Sequence, residues 1–174
     1  MGNQCEACTT ADNETINTLV VNPQLDYNLQ PEDFYNERTK EIALRLGPFK
    51  FDSDDDFEKL SDVSVLVTKG PVTMDNGVRY IGQFANGMRN GKGKQVYEDY
   101  ALYEGYWSDD RANGRGRLIH SNGDVYEGEW KDGKAHGKGI YTRVDGSVYN
   151  GEWIDDVQNG FGIETWVDGS SYEG

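Results

Sequence analysis

The stretch VYEGEWKDGKAHGKGIYTRVDGSVYNGEW, residues 125–153, carries its own echo: Tyr126, Gly128 and Trp130 return as Tyr149, Gly151 and Trp153, with Gly137 and Gly139 between them. The same triplet stands earlier as Tyr103, Gly105 and Trp107, and as Tyr80, Gly82 and Phe84, and it begins again at Tyr172, every step being 23 residues. A glycine pair spaced by one residue occupies the second half of each unit: Gly91 and Gly93, Gly114 and Gly116, Gly137 and Gly139, Gly160 and Gly162. A turn signal follows at Asn122-Gly123, Asp145-Gly146 and Asp168-Gly169, with Asn76-Gly77 ahead of the first unit and Asp99-Tyr100 breaking the pattern. Four complete units at one period specify a repeat architecture.

These residues resemble the MORN repeat family, whose pattern runs Tyr-x-Gly-x-Trp, a spacer, Gly-x-Gly and an Asp-Gly turn. The resemblance covers residues 70–174, with units starting at Tyr80, Tyr103, Tyr126 and Tyr149 and a partial unit at Tyr172. It implies an all-β repeat, an elongated antiparallel meander of hairpins. It also implies contact rather than chemistry, since the family occurs in cytoskeletal, ciliary and membrane-junction scaffolds and as appendages of enzymes whose catalytic domains lie outside the repeats.

Side chains alternate faces along a strand, so the rings and glycine of each triplet share one face. A hairpin folding back over a loop at residues 131–136 predicts Trp130 opposite Gly137, Gly128 opposite Gly139 and Tyr126 opposite Tyr141, with rings lying over glycine gaps. On the reverse face the same register sets Glu129 against Lys138 and Glu104 against Arg117. A period of 23 fits two short strands and two turns, or about nine strands over residues 70–174. The first hairpin loop carries Gly87 and Gly133 in units one and three but Asp110 and Asp156 in units two and four. A two-unit superperiod and simple drift at an exposed tip both account for this alternation.

Ahead of the repeats, residues 1–30 read as a flexible segment, 31–47 as a helix and 48–69 as an acidic linker and capping segment. Pro31, Glu32 and Asp33 suit a first turn, Arg45 a last turn, and Gly47-Pro48 a stop. Phe34, Arg38, Ile42 and Leu46 share a partly apolar face, which either caps the sheet or docks a partner. The run Asp52, Asp54, Asp55, Asp56 and Glu58 lacks the glycine and ligand spacing of an EF-hand loop and reads as solvated linker. Met1-Gly2 begins like an N-myristoylation signal, with Cys5 and Cys8 placed to accept palmitate, although Glu6 stands where Ser or Thr is expected. Two lipid signals are what stable anchoring requires.

The 174 residues carry 22 glycines and a net charge of −14, which disfavours nucleic acid as a partner. Two cysteines, both in the first eight residues, form no disulfide framework and fit a reducing compartment. No apolar run reaches the roughly 18 residues of a membrane span. No nucleophile–base pair, carboxylate dyad or metal-ligand set is legible, so no catalytic residue, cofactor or small-molecule substrate is expected, and His120 and His136 read as surface residues in a second strand and at a hairpin loop.

Two contact modes follow. Tyr106, Trp107, Trp130, Trp153 and Phe161 are candidates for binding other proteins of a larger assembly. Lys92, Arg115 and Lys138, recurring at one repeat position with Lys94 and Arg117 two residues on, are candidates for anionic lipid, or else pair internally with glutamates. The leading expectation is a cytoplasmic scaffold of cytoskeletal or ciliary assemblies. An acylated membrane tether comes second and an accessory subunit of an enzyme complex third.

Overall fold

The computed structural model describes residues 36–51, 66–74 and 77–174. Ten strands form one antiparallel sheet in strict chain order: β1 Val67–Thr73, β2 Arg79–Ala85, β3 Met88–Val96, β4 Leu102–Ser108, β5 Arg111–Ile119, β6 Val125–Lys131, β7 Lys134–Thr142, β8 Val148–Ile154, β9 Val157–Thr165 and β10 Ser171–Glu173. At about 4.8 Å per strand step the meander is about 43 Å across. The count exceeds the expected nine because β1 adds a strand ahead of the first unit. β1 is an edge strand, and its Pro71 lies in an irregularity between Lys69 and Val72, where a missing ladder N–H is tolerated.

Each hairpin tip is a two-residue turn with both residues in the left-handed region: Asn86-Gly87, Asp109-Asp110, Asp132-Gly133 and Asp155-Asp156. Such turns match strand twist, and they correct the expected six-residue loop. Asp132-Gly133 sets Lys131 opposite Lys134 and Trp130 opposite Ala135, while Gly128 still meets Gly139 and Tyr126 meets Tyr141. The two registers are reconciled by a bulge between Gly128 and Trp130, in which Gly137 takes φ +66°. Trp130 therefore does not face Gly137 in its own hairpin. A Cβ at Gly137 would instead strike the Glu129 carboxylate, at 2.4 Å from Oε2.

The expected pairing of Glu129 with Lys138 is corrected by the same bulge. Glu129 Oε1 accepts the backbone N–H of Lys138 at 3.3 Å, its aligned neighbour is Arg115, and Lys138 stands opposite Glu152. Glu104 opposite Arg117 holds.

The alternating loop residue has a physical role. Asp110 Oδ1 accepts the backbone N–H of Arg89 at 2.8 Å, and Asp156 Oδ1 accepts that of Ala135 at 2.7 Å. At the intervening tip Gly133 only donates, to the carbonyl of Ala112. A backbone bond thus joins each tip to the one before it, and a carboxylate-to-backbone bond is added between one and two and between three and four.

The helix, α1 Glu37–Leu46, begins later than Pro31. Asn36 is its cap, with its side chain accepting the backbone N–H groups of Arg38 and Thr39, and Pro31, Glu32, Asp33 and Phe34 lie outside the described residues. The stop at Gly47 is as expected, with φ +71° and its N–H bonded to the Ala43 carbonyl. Gly2, Cys5, Cys8 and the acidic run at 52–58 also lie outside the described residues.

Candidate functional site: two unlike faces of the repeat sheet

Antiparallel pairing lines the repeats up in rows. One face carries Tyr80, Tyr103, Tyr126 and Tyr149 beside the glycine row Gly82, Gly93, Gly105, Gly116, Gly128, Gly139, Gly151 and Gly162. Each tyrosine ring leans over the glycines, so a Cβ at Gly139 would lie 2.4 Å from the Tyr126 hydroxyl and 2.6 Å from the ring. The hydroxyls reach the bulges and donate to the carbonyls of Gln83, Tyr106, Glu129 and Glu152 at 2.9–3.2 Å.

Between tyrosines stand the tryptophans, edge to face. Tyr103–Trp107, Tyr103–Trp130, Tyr126–Trp130 and Tyr126–Trp153 centroids are 5.1–5.2 Å apart, the geometry that ring quadrupoles favour. Trp130 and Trp153 indole N–H groups donate to the Gly116 and Gly139 carbonyls, each at 3.1 Å. Trp107 breaks this pattern: its ring lies under the Arg89 guanidinium at 4.4 Å.

The expectation of exposed binding rings is therefore corrected. Trp107, Trp130 and Trp153 are buried in the ladder, 2%, 8% and 7% exposed. Tyr106 is buried on the opposite face under Phe51, ring centroids 5.5 Å apart. Phe161 alone of the five is exposed, at 54%.

That opposite face is covered over its first half. Ile42 of α1 packs on Val96, Leu102 and Ile119, and the helix is fixed to the Ser121–Gly123 turn by Asn36 Nδ2 to the Ser121 carbonyl and Arg38 Nη1 to the Asn122 carbonyl. The chain beyond α1 lays Phe49, Phe51 and their edge-to-face contact across β3, β4 and β5. The helix thus caps the sheet, the first of the two roles open to it.

Beneath this cover the basic ladder is consumed. Glu104 is buried and accepts from both Lys94, at 2.9 Å, and Arg117. Arg117 also donates to the Gly47 carbonyl at 2.7 Å, where the helix C-terminus presents negative partial charge. A buried carboxylate with two cationic donors compensates the desolvation that a lone charge would incur. Lys94 and Arg117 cannot reach a lipid surface. Lys92 lies 5.8 Å from the Phe51 ring, and Arg115 bonds Glu127 at 3.3 Å on a half-exposed surface. Lys138 remains exposed. Internal pairing with glutamate holds Lys94, Arg117 and Arg115, through Glu104 and Glu127.

Past α1 the rows change character. The row holding Lys94, Glu104 and Arg117 continues as Glu127, Ile140, Asn150 and Ile163, and among the described residues the cover ends there. Ile140, Ile163 and Phe161 are 43%, 40% and 54% exposed. Periodicity did not mark this strip, because its isoleucines stand at repeat positions held elsewhere by charged residues.

His120 follows β5 and His136 lies within β7, at a bulge and not in a loop, and each is half-buried. Burial lowers the His120 imidazole below its ordinary range against the opposing pull of Asp124 and Asp99. Among the described residues no three His, Cys, Asp or Glu side chains cluster as metal ligands, and no helix is long and apolar enough to cross a membrane.

A sheet of self-similar hairpins, its rings locked over glycines and its surface built from repeated rows, defines a contact-making repeat protein. The MORN repeat profile matches residues 80–101, 103–125, 126–148 and 149–171, and the chain belongs to that family. Its all-β fold is a non-enzymatic, scaffold type, suited to protein or membrane contacts. No curated protein matches the chain. Solved structures that match include one described as the SAS-4 (dCPAP) TCP domain in complex with a proline-rich motif of Ana2 (dSTIL) of Drosophila melanogaster. Identity there is 15% and the TM-score 0.27, over 74% of this chain and 96% of that one, and nothing about this chain follows from so distant a likeness.

Proposed function

We propose that the chain is a scaffold that makes protein–protein contacts within a cytoplasmic, cytoskeletal or ciliary assembly. One observation carries the reading: the strip of Ile140, Phe161 and Ile163 lies open on the face that α1, Phe49 and Phe51 cover in the preceding units. Exposed large apolar side chains on one open sheet face, set among polar and charged neighbours, are what protein contact sites present. The tether alternative loses support from the burial of Lys94 and Arg117 against Glu104, and its remaining basis is the sequence around Gly2, Cys5 and Cys8.

Fractionation of cells expressing the full chain separates the two. Phe161→Asp combined with Ile163→Lys, both at exposed positions, is expected to move the protein from the detergent-resistant cytoskeletal pellet to the supernatant, while Gly2→Ala leaves it in place. Release by Gly2→Ala with retention of the Phe161→Asp/Ile163→Lys protein would reverse the assignment.

A further inference from the structure

On the aromatic face, at the end where units join, equivalent repeat positions are empty in one unit and filled in the next. Tyr141 stands where the preceding unit has Leu118, and its hydroxyl donates at 2.7 Å to Asp124, which stands where that unit has Ala101. Leu118 and Ala101 are too short to meet in this way. Between them a cavity of about 450 Å³ opens, floored by Val78, Ala101 and Leu118 and walled by His120 and the Tyr97-Glu98-Asp99 turn.

The chain's own arginines fill the neighbouring positions. Arg89 lies 4.4 Å over the Trp107 ring while bonding Asp110 at 2.9 Å, and Arg143 lies 5.9 Å from the Tyr141 ring while bonding Glu164 at 2.7 Å. Each combines an aromatic surface with a carboxylate, the two things a guanidinium engages best. The cavity offers Tyr97 as ring and Glu98 and Asp99 as carboxylates, and neither lysine nor arginine lines it.

Resting on the protein-contact reading above, we propose that this cavity receives an arginine side chain of the partner protein. The apolar floor matches the aliphatic stem, and the turn carboxylates match the charged tip. Asp99 already accepts the Ala101 N–H on one oxygen and the Ser121 hydroxyl on the other, which leaves lone pairs on both. Burial holds His120 below its usual pKa, which favours the neutral ring beside a guanidinium. The chain's charge of −14 favours a basic partner at long range, and Glu98 and Asp99 disfavour an anionic headgroup in the same place.

The test is an amide-resolved NMR titration of the full isotope-labelled chain at pH 7. The probe is a pentapeptide with one central arginine between glycines, blocked at both ends; a glutamine version is the control. Saturable shifts are expected at Ala101, Leu118 and His120 with the arginine peptide, and about tenfold weaker binding with the glutamine peptide, as for loss of a charge-assisted hydrogen bond. Leu118→Tyr, which copies the filled unit, should abolish binding. Glu98→Gln with Asp99→Asn should weaken it about tenfold, while the amide oxygen at position 99 still accepts the Ala101 N–H that shapes the turn. Absence of shifts at these amides, or unchanged affinity in the carboxylate variant, would overturn the proposal. Neither result bears on the scaffold reading, which is decided by Phe161 and Ile163 on the opposite face.

Discussion

Gly139→Ala tests the lock between tyrosine and glycine directly. The added methyl would sit 2.4 Å from the Tyr126 hydroxyl and 2.6 Å from Cε2 and Cζ, distances that force the ring aside. Moving it breaks the bond to the Glu129 carbonyl at 2.9 Å, worth about 1 kcal/mol net. It also disturbs the edge contacts with Trp130 at 5.1 Å and Trp153 at 5.2 Å, about 0.5–1.5 kcal/mol each. The sum, about 3 kcal/mol, meets the upper end of the ~1–3 kcal/mol that overpacking typically costs. Thermal unfolding followed by tryptophan fluorescence and circular dichroism should show the midpoint lowered by roughly 6–12 °C. Gly133→Ala is the control, because its φ is +84° but nothing lies within 4 Å of the added carbon, and backbone strain alone costs about 1 kcal/mol. In a Tyr126→Ala background the Gly139→Ala cost should fall below about 1 kcal/mol, since the clash has lost its partner. If Gly139→Ala costs no more than Gly133→Ala, or costs the same with Tyr126 removed, the lock is refuted.

Arg117→Ala removes one of two cations on buried Glu104 and the bond to Gly47; it should cost about 3 kcal/mol, and limited proteolysis should cut between residues 47 and 66 before cutting the repeats. Asp156→Ala keeps a left-handed residue at φ +69° but loses the acceptor for the Ala135 N–H, with about 1–2 kcal/mol of destabilisation in chemical denaturation, whereas Lys134→Ala at the neighbouring Asp132-Gly133 tip should be nearly silent. Burial, then the hydrogen bond to Asp124, raises the Tyr141 hydroxyl to about 12, and burial also raises Tyr103 and Tyr126. A raised folded pKa gives stability that is complete below about 10 and is lost as pH rises toward the folded values. Alkaline titration should therefore show tyrosine ionisation coinciding with unfolding, and separate, reversible ionisation in the folded sheet would contradict it.

Sequence alone determined the repeat, its period, the alternation that puts Tyr126, Gly128 and Trp130 on one face, and the pairing of glycine with glycine. These follow from local chemistry: strand parity, the left-handed turns that Asn-Gly and Asp-Gly favour, and the room only glycine leaves under a ring. The Glu104–Arg117 alignment was legible for the same reason.

Tertiary structure decided the rest. A two-residue tip and a fixed glycine pairing cannot both hold without a bulge, and that bulge moved Trp130 from Gly137 to Ala135. Whether a ring is a contact residue or a ladder rung depends on the preceding unit's tyrosine, 27 residues back, so Trp107, Trp130 and Trp153 went inside and Phe161, which stands on the helix face past α1, stayed out. Likewise Lys94 and Arg117 look like surface cations until α1 and Phe49 lie across them. Which stretch of a self-similar face is covered is set by where a non-repeating segment lands: over β3 to β6, closing half of the face and leaving Ile140, Phe161 and Ile163 to solvent.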